Sequence, residues 1–231
     1  MSRTGTEGRV TAVRADRPNS DQLVAWSPGR SAAAPHWGTS WAIATPLGWI
    51  GWTMSSAGLR QLRFGYRTLE ELAQSQPANS VAQLNSTTRS TSPPPVAHTG
   101  PDSISLELAD QLRRFVAGER VDFAGIPCDL EGMPEFGRRV LAACQSIAWG
   151  EVWTYGQLAG HIGAPQAARA VGAALGRNPI PLVIPCHRVV GGTGRLVGFS
   201  APGGISTKVR LLELEGHHPT SDRMPHIPSP R

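Results

Sequence analysis

The segment "TYGQLAGHIGAPQAARAVGAALGRNP" (154–179) constrains the fold more than any other stretch, because it carries two helix starts in close succession. Thr154 followed three residues later by Gln157 matches a capping box, in which each side chain satisfies a backbone donor of the other's turn. Tyr155 then falls in the first turn of a short helix ending near Gly163, and Pro165 opens a second helix after a three-residue turn. At 100° per residue, Ala167, Ala168, Ala170, Val171, Ala174 and Leu175 cover one side of the second helix, and Gln166, Arg169, Gly172, Ala173 and Gly176 the other. The first side is predicted to pack inward. The second is nearly bare apart from Arg169, so a large flat partner could approach the backbone there.

Such a pair resembles a DNA-binding helix-turn-helix, the plain alternative being an αα-hairpin whose small residues only permit close packing. Base discrimination in the major groove needs several long polar side chains, and this face has almost none. A sequence-tolerant mode that uses shape, phosphates and one inserted arginine fits better. The net charge of +5 and pI near 9.8 agree with an anionic partner without requiring one.

The 231 residues, 40% of them hydrophobic, suffice for one substantial core or for a core with a small companion domain. Residues 1–38 lack apolar periodicity and are expected to be a disordered arm. From Trp41, "WAIATPLGWIGWTMSSAGLRQLRFG" reads as two or three short strands of an antiparallel sheet, with a short helix over 68–73. Residues 75–102 are rich in Ser, Thr, Pro and Asn and are expected to form a disordered insertion. A helix over 103–118 should turn Leu108, Leu112, Phe115 and Val116 inward. Another begins near Pro134 with Phe136, Val140, Cys144 and Ile147 on its packed face, which makes Cys144 a buried structural thiol. Residues 217–231 are expected to be a disordered tail. No run is long and apolar enough for a membrane span, and three sparse cysteines suit a reducing cytoplasm better than a disulfide framework.

Three prolines stand within seven residues of "PIPLVIP", which ends against Cys186 in "IPCHRVV". They fix φ and remove donors, so the approach to this thiol is stiff. Asn178, before Pro179, can brace the turn through its own backbone bonds. Cys186 could be a buried small residue, a metal ligand or a nucleophile. No close cysteine pair or histidine cluster accompanies it, which argues against a metal. A nucleophile needs a nearby base, and His187 can serve only if the chain turns here, because neighbours in a strand point apart. Glu215 falls within the apolar stripe of the last helix and needs a partner, either His187 or an arginine.

Taken in order, "TYGQLA", "AARAVG", "GRNPIPLV" and "IPCHRVV" closely resemble the O6-alkylguanine-DNA alkyltransferase (methylated-DNA–protein-cysteine methyltransferase) family over about 132–216, and more loosely over "TPLGWIGWTMSSAGLRQLRFG". The resemblance implies direct-reversal repair: an alkyl group leaves guanine O6, or less efficiently thymine O4, in duplex DNA and passes irreversibly to Cys186, with no cofactor and one turnover per molecule. It implies that Asn178, Cys186, His187 and Glu215 form the reactive network, with a water between thiol and imidazole. Tyr155 would help extrude the nucleotide and donate to guanine, Arg169 would fill the vacated stack, and Val189, Phe199 and Ser200 would line the base pocket. Gln166, Ala168, Gly172 and Ala173 would face DNA. The expected fold is α+β, a small N-terminal antiparallel-sheet (RNase H-like) domain over 39–125 and a C-terminal helical domain with a winged-helix-type helix-turn-helix over 126–216. A monomer is expected. Gly137 and Leu141 depart from the family's usual Gln and Trp, and "VGFSAPGGIS" is about two residues longer than the shortest family versions. A non-catalytic damage binder and a sequence-specific regulator are the competing readings; the damage binders typically replace the reactive cysteine, which this chain keeps.

Overall fold

The computed structural model describes residues 23–26, 40–75, 101–220 and 223–224; the greater part of the expected arm and insertion lies outside them. Strands β1 (Val24–Trp26), β2 (Ser40–Thr45), β3 (Gly48–Ser55) and β4 (Gly58–Tyr66) form one antiparallel sheet in chain order. The expected two or three strands are there. β1 is an addition, three residues of the expected disordered arm that pair with Ser40–Ala42. The turn between β2 and β3 needs Gly48 at φ +91, where an added Cβ would lie 2.5 Å from the Tyr66 carbonyl.

Helix α1 (Leu69–Gln74) starts at Thr68, whose side chain accepts from the Glu71 amide. Helix α2 (Pro101–Val116) begins two residues earlier than expected and lays Leu108, Leu112 and Phe115, spaced four and three apart, against the sheet. Trp52 on β3 is nearly fully buried and donates its indole N–H to Ser105 of α2 at 3.3 Å.

Helix α3 (Glu135–Gln145) follows Pro134 and buries Val140, Leu141, Ala143 and Cys144; Cys144 is fully buried, as its place on the stripe predicts. The unusual Gly137 and Leu141 are both on the buried side of this helix. Two-residue strand β5 (Trp153–Thr154) leads into α4 (Tyr155–His161), which opens with the predicted capping box. Helix α5 (Ala168–Leu175) starts three residues later than Pro165, so the turn between the helices spans 162–167, not three residues. The proline sits within that turn, two residues before the N-cap of α5. Strand β6 (Val189–Val190) and helix α6 (Ile205–Leu214) complete the set.

Backbone hydrogen bonds join β4 to the stretch that follows residue 125. Leu59 donates to the Pro127 carbonyl at 2.7 Å and accepts from the Asp129 amide at 2.8 Å, and Leu62 donates to the Pro179 carbonyl at 2.9 Å. Asp129 bonds both Arg60 and Ser55, so burial, which alone would raise its carboxyl, is outweighed and it is held below the ordinary range. A single apolar cluster accordingly runs from Ile43 in β2 to Leu211 in α6. Part of the expected disordered tail is ordered as well: Met224 is buried against Val152, Val190, Leu196 and Leu212, because an apolar surface on the β5–β6 side was open to cover. Among the described residues no helix is long and apolar enough to cross a membrane.

Candidate active site

Parallel pairing of β5 with β6, in the register Trp153 to Val189 and Thr154 to Val190, brings two distant segments together. Tyr155 begins the helix after one strand, and Cys186 lies three residues before the other. The thiol stands on a single 3-10 turn, Cys186–Arg188, as required if His187 is to serve it. Cys186 is half-buried, with all three cysteines reduced. Asn178 fixes the approach as predicted, accepting from the Ile180 amide at 3.0 Å and donating to the Ile184 carbonyl at 2.9 Å. Leu182 between them takes φ +72, the left-handed region, with its side chain buried.

His187 is wholly buried, and its Nε2 lies 2.8 Å from Glu215 Oε1. Glu215 forms the C-cap of α6 rather than part of its last turn. Both sequence-level partners of this carboxylate are present at once: Arg188 Nε donates to Oε1 at 3.0 Å and to Oε2 at 2.9 Å, and Nη2 donates to Oε1 at 2.8 Å. Nη1 of the same guanidinium donates to the Ile147 carbonyl at 2.6 Å. Burial alone would raise the Glu215 carboxyl, but His187 and Arg188 outweigh it and hold it down to about 2. An ionised Glu215 can only accept, so the proton of a neutral His187 ring sits on Nε2 and the lone pair on Nδ1. Burial lowers the imidazole against the opposing pull of Glu215, which keeps the ring neutral near neutral pH. Nδ1 is buried and has no hydrogen-bond partner among the described residues. That leaves a free basic nitrogen on the residue next to the thiol.

Lys208 was not foreseen. It is fully buried in α6, and its Nζ donates to the Val189 carbonyl at 2.5 Å, with the Val197 carbonyl at 3.5 Å. Burial lowers its ammonium to about 8, an effect that the nearby Cys186 and Cys144 sulfurs oppose. Burial likewise raises the Cys186 thiol, while Asn178 and the Lys208 charge pull it back. The signal was available: Lys208 stands three residues after Ile205 and three before Leu211, inside the apolar stripe. A Lys208→Met variant is expected to move the pH midpoint of Cys186 alkylation by iodoacetamide upward, as followed by peptide mass spectrometry. An unmoved midpoint would remove Lys208 from the thiol's electrostatics.

Tyr155 is half-buried, its hydroxyl donating to the Val197 carbonyl at 3.3 Å. Burial, then the neighbouring thiols, raise this hydroxyl, so it remains a donor. Val189 is fully buried, Phe199 half-buried and Ser200 exposed. On α5 and the turn before it, Gln166, Arg169 and Ala173 are exposed as expected. Gly172 is half-buried, and a Cβ there would lie 3.6 Å from the Tyr155 ring. Ala170 is exposed instead of packed, and Ala167 and Ala168 are only half-buried, because the late helix start lifts its first turn off the core.

A one-turn thiol backed by a carboxylate-aligned imidazole, next to a slim two-helix face, defines a thiol-centred protein rather than a helix-turn-helix reader of base sequence. Residues 135–217 match the family described as 6-O-methylguanine DNA methyltransferase, DNA binding domain. The methylated-DNA–protein-cysteine methyltransferase of Mycobacterium leprae is 50% identical over 111 residues, 48% of this chain and 65% of that protein. The Mycobacterium bovis protein of the same name is 45% identical over 130 residues, 56% of this chain and 76% of its own. The chain thus spans just under two thirds of the first relative and about three quarters of the second. The crystal structure of Mycobacterium tuberculosis OGT in complex with DNA superposes with a TM-score of 0.52 at 36% identity, covering 75% of this chain and 90% of that one. The chain belongs to the methylated-DNA–protein-cysteine methyltransferase family.

Proposed function

We propose that the chain repairs alkylated DNA by moving a methyl or larger alkyl group from guanine O6, and less well from thymine O4, in duplex DNA onto Cys186. The observation that carries this is the free Nδ1 of a neutral, Glu215-aligned His187 beside a half-buried thiol. With a solvent molecule between them, Nδ1 takes the thiol proton as the sulfur attacks the alkyl carbon. A C–S bond forms, the C–O6 bond breaks, and the base leaves with the electron pair. The Tyr155 hydroxyl donates toward the ring as that charge develops. The product is a thioether with no ready hydrolytic route, so each molecule acts once and no cofactor is needed.

The target carbon is inaccessible inside a stack, so the nucleotide is everted at a cost of about a few kcal/mol. The exposed Arg169 enters the vacated place, and Gln166, Ala168, Gly172 and Ala173 lie along the backbone, a face slim enough for the minor groove. The DNA complex of the Mycobacterium tuberculosis protein supports this partner. Val189, Phe199 and Ser200 form the base pocket. In this reading α4, α5 and the β5–β6 pair form a winged-helix-type unit, the β1–β4 sheet with its helices is RNase H-like, and the working division falls near 125. The protein acts as a monomer in the cytoplasm, where the thiol stays reduced.

Incubation with duplex DNA carrying O6-methylguanine should add one methyl mass to the Cys186 peptide and restore guanine stoichiometrically. Tight binding with no mass gain would overturn alkyl transfer in favour of a damage-binding role.

A further inference from the structure

The loop over 198–204 carries Phe199 and Ser200, and three of its glycines are left-handed: Gly198 at φ +52, Gly203 at φ +83 and Gly204 at φ +53. Glycine adopts these angles freely, so both ends of the loop are easily re-angled. Its start is tied by Val197, whose carbonyl receives the Tyr155 hydroxyl at 3.3 Å, and its end by Thr207 Oγ1, which donates to the Pro202 carbonyl at 2.5 Å. Between these ties the loop meets the N-terminal sheet. The Phe199 ring lies 6.4 Å from that of Phe64, centroid to centroid and tilted by 58°, within the range in which aromatic pairs attract. One residue further along β4, Gly65 at φ +88 faces Pro202, and a Cβ there would lie 3.5 Å from the proline ring. Phe64 itself is buried, so its ring is held by the core, whereas Pro202 is exposed and Phe199 half-buried.

We infer that Phe64 is a positioning residue that sets alkyl-size selectivity: from the opposite half of the chain, it holds the 198–204 loop at the spacing that decides how large a group can reach Cys186. The inference rests on the alkyl-transfer reading above, with Phe199 as part of the base pocket. Removing the ring contact takes away one of the loop's two contacts with β4, leaving Pro202 against Gly65 and the ties at either end. The loop can then move outward without disturbing Cys186, His187 or Glu215, which stand on other elements.

The test compares single-turnover transfer from duplexes carrying O6-methylguanine and O6-benzylguanine in wild type, Phe64→Leu and Pro202→Ala, with melting temperatures alongside. Phe64→Leu keeps an apolar side chain in the core, and Pro202→Ala alters only an exposed position, so at least one variant reports even if the other folds poorly. The expected result is a benzyl-to-methyl rate ratio raised about tenfold in Phe64→Leu, and about threefold in Pro202→Ala, with the methyl rate within about twofold of wild type. A purely structural role would lower melting temperature and both rates together, leaving the ratio unchanged, and that result overturns the inference. Wild-type protein that takes no alkyl group from either duplex overturns the parent reading instead.

Discussion

A Glu215→Ala variant is expected to melt roughly 6–20 °C below wild type, the shift that a loss of about 3–5 kcal/mol produces in a chain of this size. The magnitude follows from what would be stranded. Arg188 is buried and directs three bonds at Glu215, retaining without it, among the described residues, only the Ile147 carbonyl. His187 Nε2, also buried, would lose its acceptor. The carboxyl sits at about 2 in the folded chain against about 4.3 in an unfolded one, so its contribution is complete above about pH 4.3 and is lost as pH falls through about 2. The gap in melting temperature between variant and wild type should therefore close over that window. Alkyl transfer should fall by about 10²–10⁴-fold, because nothing then fixes the proton on Nε2 and the lone pair on Nδ1. A melting temperature within experimental error of wild type would show that the buried charges find other partners.

Cys186→Ser is expected to lower alkyl uptake by more than about 10⁴-fold while leaving affinity for O6-methylguanine duplex nearly unchanged. The hydroxyl is similar in size and can keep the local backbone geometry, but the Nδ1 base and the Lys208 charge are matched to a thiol, whose proton is far easier to remove. Gel-shift titration and intact-mass analysis on the same preparation separate the two effects. Clearance of the lesion by this variant would move the acceptor elsewhere in the chain.

Local rules located the site elements that depend on short spacing. The capping box at Thr154–Gln157, the Asn178 brace and the Cys144 stripe each rest on residues within a turn or two of one another, and all three stand as the sequence implies. The start of α5 at Ala168 differs from the sequence expectation because Pro165 suits a first helical turn and a preceding turn equally well. The shared role of Glu215 was legible as two competing pairings but not as their sum, since simultaneous contact with His187 and Arg188 depends on the 3-10 turn presenting both neighbours to one carboxylate. Lys208 is not legible as a buried cation, because a lysine in an apolar stripe ordinarily lies at the surface on a flexible stem. The pairing of Trp153 with Val189, which joins Tyr155 to the thiol, spans too many residues for any local pattern to report. Strand β1 and Met224 show the same limit, short segments without periodicity whose order comes from what they cover.

Leu182, at φ +72 and buried, puts a two-sided constraint on anyone who mutates this protein. Glycine would relieve roughly 1–2 kcal/mol of backbone strain but leave a hole costing about 2–5 kcal/mol. Asparagine tolerates the angle, yet would bring an amide into oil-like surroundings, and branched residues fit the space but not the angle. In a saturation scan this position should therefore accept almost nothing, although it supplies no group to the proposed reactive network, and a map of intolerant sites would mark it as if it were chemical.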